Sequence, residues 1–452
     1  MSKLKQIFGS AVLIYLRILS KVQLSKIKPI IIGLTGSTGK TSLRDASKLV
    51  LEVKYKVKVS EKANSESGIP LDILGLHMNN YSIFDWIRVC LLAPVMLLIN
   101  WERYDIYLVE MGVDSPRSPK NMSYLLKIVT PRVGVLLNVS AVHSEQYDYL
   151  VPNSVSGDER YEKILDLIAQ EKGKLLKSLN LEGYAIGNID DKRVQKVLSE
   201  SQSHRISFGK QGDSDVRITS VNQHKDTFCT KLSIDGKNYS ICLENTYLPE
   251  AYAYTFAGAM AVGYVLKVDL DKASNALSKY KIPAGRMSVF KGIKDSIIID
   301  SSYNSSKMSV FEAFDLTEQL SNKDKSKVIL ALGDMREMGE ETKHEHEEIA
   351  ERAVKIADRM VLVGPYMKYY FLPKAISLGF IKDNIFTFEK SSEAAEFIKD
   401  ILIKKGDVVL AKGSQNTIFM ENVVEKLLAN PRDVEKLCRR EKYWDKMREE
   451  YR

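Results

Sequence analysis

The stretch PIIIGLTGSTGKTSLRDASKLV, residues 29–50, constrains this chain more than any other. Ile30, Ile31 and Ile32 form an unbroken apolar run, as expected of a strand buried on both faces. Gly33, Gly36 and Gly39 then punctuate a turn, and Leu43, Ala46, Leu49 and Val50 follow at helical spacing. Strand, glycine turn and helix in that order gather free backbone N–H groups and the positive end of a helix at one point. That is a cradle for phosphate. A strict phosphate loop reads G-x-x-x-x-G-K-[ST]. Here Leu34 stands where the first glycine should be, and Gly33 and Gly39 are one residue further apart than the pattern allows. The loop is therefore a variant, Thr35-Gly36-Ser37-Thr38-Gly39-Lys40-Thr41, followed by Ser42. Its physics is unchanged: the loop wraps a polyphosphate, Lys40 balances its charge, and the Thr41 hydroxyl can ligate Mg²⁺.

The rest of the chain supports an α/β reading. YDIYLVEMG (104–112) and RVGVLLNVS (132–140) read as buried strands, and ERYEKILDLIAQEKGKLLKSL (159–179) as a helix. From His204 to Leu248 the pattern alternates with period two around Asp235-Gly236, a hairpin signature. A helical stretch at 250–266 returns the chain to the first domain. After KIPAGRM (281–287) strands and helices alternate again, with strand-like runs at 296–300, 327–334, 359–364 and 407–413. The expected fold is a phosphate-loop ATPase domain on a parallel sheet, with a small antiparallel insert, followed by a Rossmann-like α/β domain. The expected boundaries are 1–28 (an amphipathic segment), 29–284, 285–430 and a charged helical tail at 431–452.

A length of 452 residues fits two or three domains. The formal charge of +8 is spread along the chain, which suits an anionic substrate or an acidic membrane surface and does not argue for nucleic acid. Cys90, Cys229, Cys242 and Cys438 form no C-x-x-C pair, so reduced structural thiols in a cytoplasmic, monomeric protein are expected. Residues 1–28 interleave Leu4, Ile7, Phe8, Val12, Leu13, Leu16, Leu19 and Val22 with Lys3, Lys5, Arg17 and Lys21. Arg17 and Lys21 leave the apolar run too short to span a bilayer. The segment is read as a helix on the protein's own surface, with peripheral contact to the cytoplasmic face of a membrane as the alternative. WIRVCLLAPVMLLINW (86–101), broken by Pro94, is read as a buried helix or helix pair.

Two further residues bear on the phosphate loop. Glu110 ends one buried strand, and His143 follows another. The C-terminal ends of parallel strands converge where ligands bind. A carboxylate and an imidazole there are candidate Mg²⁺ ligands; taken singly, each residue type is more often structural.

These residues belong to a longer series of motifs in a fixed order: GLTGSTGKTS, NSESGIPL (64–71), VEMGVDSP (109–116), NVSAVHSE (138–145), IAQEKGKL (168–175), GNIDD (187–191), GRM (285–287), IIDSSYNSS (298–306), ALGDMREMGEE (331–341) and AKGSQNTIFMENVV (411–424). On them the chain resembles the Mur ligases over roughly residues 29–430, and most of all the branch that adds D-alanyl-D-alanine to a muramoyl-tripeptide in peptidoglycan synthesis. The resemblance implies an ATP- and Mg²⁺-dependent ligase that joins a cell-wall peptide precursor to an amine (a dipeptide or an amino acid) through an acyl phosphate. It implies that Thr35, Gly36, Ser37, Thr38, Gly39, Lys40, Thr41, Ser42, Asp300, Tyr303, Asn304 and Arg286 meet the nucleotide. It implies that Thr41, Glu110, His143 and Lys172 serve the metal ions, Lys172 as a carbamate. Asn64, Glu66 and Gly68 would face the carboxylate substrate. Asp334, Glu337, Lys412 and Ser414 would face the amine. Lys40, His143, Lys172 and Arg286 would be the catalytic set.

Departures from the family pattern leave alternatives open. The usual N-x-x-N pair is replaced within EAYAYTFAGAMAV, Ser305-Ser306 follows Tyr303-Asn304, and Gln415 stands where the family has arginine. Only residues 1–28 stand ahead of the loop, where the resemblance calls for a domain holding a UDP-sugar. A Mur-like ligase for another pair of substrates, folylpolyglutamate-like or pseudomurein-type, is one alternative. A phosphate-loop kinase or regulatory NTPase is another, but it leaves the Gly285-Arg286 pivot and the second α/β domain unexplained.

Overall fold

The computed structural model describes all residues except 1, 2, 62, 80, 81, 225, 322–325, 416, 442, 443, 446 and 449–452, and gives only the backbone for 3–7. Strands β1 (Ile30–Thr35), β2 (Val57–Val59), β3 (Ile106–Glu110), β4 (Val133–Leu136), β5 (Tyr184–Asn188), β6 (His204–Gly209), β7 (Val216–His224), β8 (Thr227–Ile234) and β9 (Lys237–Leu243) form one sheet. Their order is β2-β3-β1-β4-β5-β6-β7-β8-β9. The helices of this half are α1 (Lys3–Ile27), α2 (Lys40–Leu51), α3 (Gly68–Leu74), α4 (Ile83–Ile99), α5 (Met122–Leu125), α6 (Gly157–Lys177), α7 (Lys192–Ser199) and α8 (Ala251–Val265).

The apolar run of β1 is explained by what lies on either side. Ile32 and Leu34 pack with Leu43, Ala46 and Val50 of α2 and with Phe256 and Met260 of α8. Ile31 points the other way, toward Ile168 and Leu175 of α6. Both faces of the strand are dry, so period-two alternation of apolar and polar residues is absent. Parallel pairing sets Leu34 beside Glu110 and Thr35 beside Leu136, which brings the carboxyl ends of β3, β1 and β4 together.

The second sheet holds β10 (Ser288–Lys291), β11 (Ile297–Ser301), β12 (Val328–Gly333), β13 (Arg359–Val363), β14 (Ile385–Phe388) and β15 (Val408–Lys412) in the order β10-β11-β15-β12-β13-β14. Only β10 is antiparallel. Leu330 and Leu332 face one core, and Ile329 and Ala331 the other.

The small antiparallel insert is present and is continuous with the main sheet. β6 still pairs parallel with β5, and β7, β8 and β9 extend the same sheet, joined through the short Phe208–Val216 and Gly209–Arg217 pairing. Three expectations need correction. The stretch 86–101 is not a buried helix: residues up to Ile99 belong to the single helix α4, which runs through Pro94 and buries only Asp85, Val89 and Ala93. From Val89 onward apolar residues lie all round the helix, but only one side meets α1 and α3. The tail does not begin as a solvated α-helix: Pro431–Lys436 are a 3₁₀ turn, Leu437, Cys438 and Arg439 are buried, and among the described tail residues 444, 445, 447 and 448 are α-helical. Finally, Cys229 and Cys242 are bonded as a disulfide, leaving Cys90 and Cys438 free. The two sit directly opposite on β8 and β9 with Cα atoms 4.2 Å apart, the close spacing of a non-hydrogen-bonded antiparallel pair.

Candidate active site

The phosphate loop sits between β1 and α2, at the convergence of strand ends. Gly39 precedes the helix at φ +76°, and a Cβ there would lie 2.8 Å from Leu137 Cδ2. Glycine satisfies both the left-handed backbone and the close approach. The loop is tied to the end of β4 by Asn138, whose Oδ1 accepts from the N–H groups of Ser37 (3.1 Å) and Thr38 (3.0 Å). The Ser37 hydroxyl adds a bond to the Ser140 carbonyl at 3.0 Å. Lys40 curls back over the loop and donates to the carbonyls of Gly36 (2.8 Å) and Ser37 (3.0 Å). Burial pushes its pKa down; Glu110 and Asp114 oppose that shift and Arg286 adds to it.

Thr41 is the meeting point. Its hydroxyl donates to Glu110 Oε2 at 3.0 Å and accepts from Arg286 Nη2 at 3.2 Å. Glu110 is buried at the end of β3. Arg286 comes from the far side of the cleft, at the start of the second α/β half, and its guanidinium lies 4.4 Å from the centre of the Tyr303 ring. A second bridge forms at His143. Nδ1 is 2.5 Å from Glu337 Oε2 and Nε2 is 3.4 Å from Asp114 Oδ1. The hydrogen bond from His143 holds the Glu337 carboxyl below its usual range. Nearby, the Ser144 hydroxyl donates to the Met338 carbonyl at 2.8 Å, and Arg160 spans Asp148 and Glu340 at 3.0 Å each.

Lys172, on α6, is 2% exposed and makes one long contact, 3.4 Å to the Val113 carbonyl. Burial first, and the charge of Lys40 second, push its pKa down to about 7. A large share of this amine is therefore neutral near neutral pH, the form that reacts with electrophiles. Across the cleft Lys412 is also buried and held down to about 7; it donates to the carbonyl of Asn304 (2.8 Å) and to Ser301 Oγ (3.2 Å). Glu312, facing Lys412, is raised to about 7 by burial.

Ser37, Thr38, Gly39, Lys40, Thr41, Ser42, Asn64, Glu110, His143, Lys172, Arg286, Tyr303, Asn304, Glu337 and Lys412 all line one large cleft between the two sheets. Other expected residues stand behind its wall. The Thr35 hydroxyl is buried against the Met111 carbonyl at 3.0 Å. Gly36 forms the turn itself, and Glu66 and Gly68 lie at the foot of α3, where the Gly68 N–H donates to Ser65 Oγ. Asp300 is fully buried, with Oδ1 accepting from the hydroxyl and N–H of Ser302, and burial raises it to about 6. Asp334 is likewise raised to about 6 and accepts from the Met367 N–H. Ser414 Oγ accepts from the Arg336 N–H at 3.0 Å. Asp300, Asp334 and Ser414 thus shape the backbone of the cleft rather than facing it.

Three residues of the site were not singled out from sequence. Asn138 and Asp114 lie inside quoted motifs directly after strands that flank β1, a position that could have flagged them. Arg439 carried no signal. It reaches back from the tail to pair with Glu421 at 2.9 Å and to donate to the carbonyls of Ser302 and Tyr303.

A phosphate loop whose threonine meets a buried carboxylate, with an arginine and a lysine supplied by the second α/β half across one cleft, defines a nucleotide-dependent group-transfer enzyme. Comparison with known proteins makes the class specific: residues 34–262 match the Mur ligase middle domain, and residues 285–415 match the Mur ligase, glutamate ligase domain. The chain belongs to the Mur ligase family, whose members are ATP-dependent, ADP-forming ligases. It is 25% identical over 419 residues to the UDP-N-acetylmuramoyl-tripeptide–D-alanyl-D-alanine ligase of Bacillus subtilis (strain 168), covering 91% of this chain and 79% of that protein. The enzyme of the same description from Rickettsia prowazekii (strain Madrid E) is 24% identical over 401 residues, covering 87% and 77%. Among solved structures, MurF ligase from Thermotoga maritima in complex with ADP superposes with a TM-score of 0.71 at 23% identity, over 94% of this chain and 84% of that one.

Proposed function

We propose that this chain ligates D-alanyl-D-alanine, or a closely similar amine, to the terminal carboxylate of a muramoyl-tripeptide precursor, with ATP converted to ADP and phosphate. The observation that carries this reading is the Thr41–Glu110–Arg286 cluster: the phosphate loop, a metal-competent carboxylate and a cation from the second domain meet within hydrogen-bonding distance. The relatives with matching sequence over most of their length carry that activity in their descriptions.

The reaction is the acyl-phosphate route that membership of the Mur ligase family implies. The substrate carboxylate attacks the γ-phosphorus of ATP, the bond to the β–γ bridging oxygen breaks, and ADP leaves an acyl phosphate. The amine then attacks the acyl carbon, sheds a proton, and phosphate departs. Little covalent chemistry is asked of the protein, so positioning and charge neutralisation supply most of the rate. Lys40 and the loop amides hold the polyphosphate. Arg286 brings positive charge to it when the domains close. Asn64, whose carbonyl accepts from the Gly112 N–H at 2.8 Å, sets the loop that meets the carboxylate substrate beside the end of β3. Lys412 holds the Ser301 and Asn304 backbone on the amine side.

The donor set fits Mg²⁺. Thr41 Oγ1 and Glu110 Oε2 are hard oxygen ligands 3.0 Å apart, and a divalent ion there would neutralise the phosphate charge. His143 is engaged by Asp114 and Glu337, so its service to a second ion requires those contacts to open. Among the described residues no three His, Cys, Asp or Glu side chains converge as a ready-made metal cage. A carbamate on Lys172 would supply the missing anionic oxygens. The chain is proposed to act as a monomer on the cytoplasmic side.

Incubation with UDP-muramoyl-tripeptide, D-alanyl-D-alanine, ATP and Mg²⁺, read by mass spectrometry, tests the proposal. The amide product is expected from the native chain and not from Lys40→Ala. Product from a different amine, and none from the dipeptide, would replace the substrate assignment.

A further inference from the structure

Helices α1 and α4 lie side by side in the same direction. The Tyr15 hydroxyl donates to the Cys90 carbonyl at 3.1 Å, and Gln23 Nε2 donates to the Asn100 carbonyl at 2.9 Å. Their inner faces close a small core with α3: Val12 and Leu16 of α1 meet Val89 and Ala93 of α4 and Leu71 and Leu74 of α3. Their outer faces are apolar as well, and open. Along α4, Phe84, Ile87, Leu91, Val95 and Leu98 recur at spacings of three and four, one stripe of a helix. Phe84 is 78% exposed, Leu91 69% and Leu98 73%. Along α1, Phe8, Tyr15, Ile18 and Val22, at spacings of seven, three and four, form a second exposed stripe. Singly exposed apolar residues are ordinary, but two adjoining stripes of large side chains are not.

The surroundings of this face identify what covers it. Residues 1–28 carry six basic residues, Lys3, Lys5, Arg17, Lys21, Lys26 and Lys28, and no acidic one. At the far end Trp101 is 67% exposed, with Lys26 Nζ 4.2 Å from its ring centre. Apolar stripes, a cationic flank and an interfacial tryptophan are the features of a helix lying in a headgroup layer. Among the described residues no helix is long and apolar enough to cross a membrane, so the pair would lie in the plane. A second copy fits poorly: a two-fold contact through this face would set the basic flanks against each other.

We propose that α1 and α4 together form a platform that docks this protein on an anionic phospholipid surface. The platform leads directly into the candidate substrate loop, because α3, which it covers, begins at Gly68, just after Asn64 and Glu66. Docking would hold that loop beside the membrane. The surface itself stands whichever carboxylate is the substrate.

Sedimentation of the full chain with large unilamellar vesicles tests this, using phosphatidylcholine alone and with about 30% phosphatidylglycerol, a composition that carries the negative surface potential basic segments respond to. The native chain is expected to partition onto the anionic vesicles, less onto neutral ones, and less again at high salt. The variant Phe84→Ser/Leu91→Ser/Leu98→Ser is expected to lose at least about ten-fold in partitioning, with an unchanged melting midpoint and unchanged ADP binding. Trp101 emission should shift to the blue on anionic vesicles and not in Trp101→Phe. A native chain that stays in the supernatant, or a triple variant that partitions equally well, overturns the proposal. So does a native dimer that the triple variant converts to monomer without vesicle binding, which would assign the face to self-association.

Discussion

Arg439→Ala should be the most damaging single change outside the phosphate loop. The side chain is 3% exposed and its partner Glu421 0%, with 2.9 Å between them. The guanidinium also donates to the Ser302 carbonyl at 3.3 Å and to the Tyr303 carbonyl, and lies 5.3 Å from the Tyr303 ring centre. Removing it strands a buried carboxylate, whose other oxygen already has no hydrogen-bond partner among the described residues. Breaking one side of a buried pair costs about 3–5 kcal/mol, a large part of the roughly 5–15 kcal/mol that holds a typical domain folded. Guanidinium denaturation should show the loss as a lower midpoint at unchanged slope. The effect should reach the active site, because the Tyr303 ring freed from Arg439 also supports Arg286; KM for ATP should rise. Arg439→Met/Glu421→Leu removes both charges and should recover most of the stability. A loss under about 1 kcal/mol for the single variant, or a double variant no better than it, would refute the buried-pair reasoning.

Gly39→Ala forces a side chain into a left-handed backbone at a cost of about 1–2 kcal/mol; calorimetry should show weaker ADP binding that Leu137→Ala does not restore. His346 is fully buried, accepts from the Met335 N–H and pairs with the Thr342 carbonyl, and burial lowers its pKa to about 4. The unfolded chain takes up this proton near pH 6.5 and the folded chain does not. Stability is therefore untouched above pH 6.5 and falls as pH drops toward 4, by about 3 kcal/mol in all. His346→Gln should flatten that part of the stability–pH curve, and an unchanged slope would exclude His346 as its source. Lys172→Ala should abolish turnover and regain part of it with short carboxylic acids, which would supply the oxygens of a carbamate; no rescue, together with indifference of the native chain to bicarbonate, would remove that role.

The strand–loop–helix unit was legible because every level agreed: an apolar run, glycines at the turn and a helical stripe on Leu43, Ala46 and Val50. The alternation of the second half was legible for the same reason. The cluster at Thr41 could be anticipated because parallel strands gather their carboxyl ends, which brings Glu110 to β1 without any local signal. Side-chain direction was not legible. Asp300, Asp334 and Ser414 lie in motifs that resemble a binding site, yet their backbone partners turn them inward. The exposure of the outer stripe of α4 is not legible, because a helix that is apolar on nearly every side gives no periodicity to tell which side is covered. Arg439 was missed since a charged residue in a charged tail carries no sign of a buried partner 18 positions away.

The central claim is that nucleotide cleavage here is coupled to amide formation. Phosphate release, measured with ATP and UDP-muramoyl-tripeptide in the presence and absence of D-alanyl-D-alanine, tests it most directly. Sustained release that needs both partners is the predicted result. Release at the same rate without the dipeptide, or none with it, would contradict it.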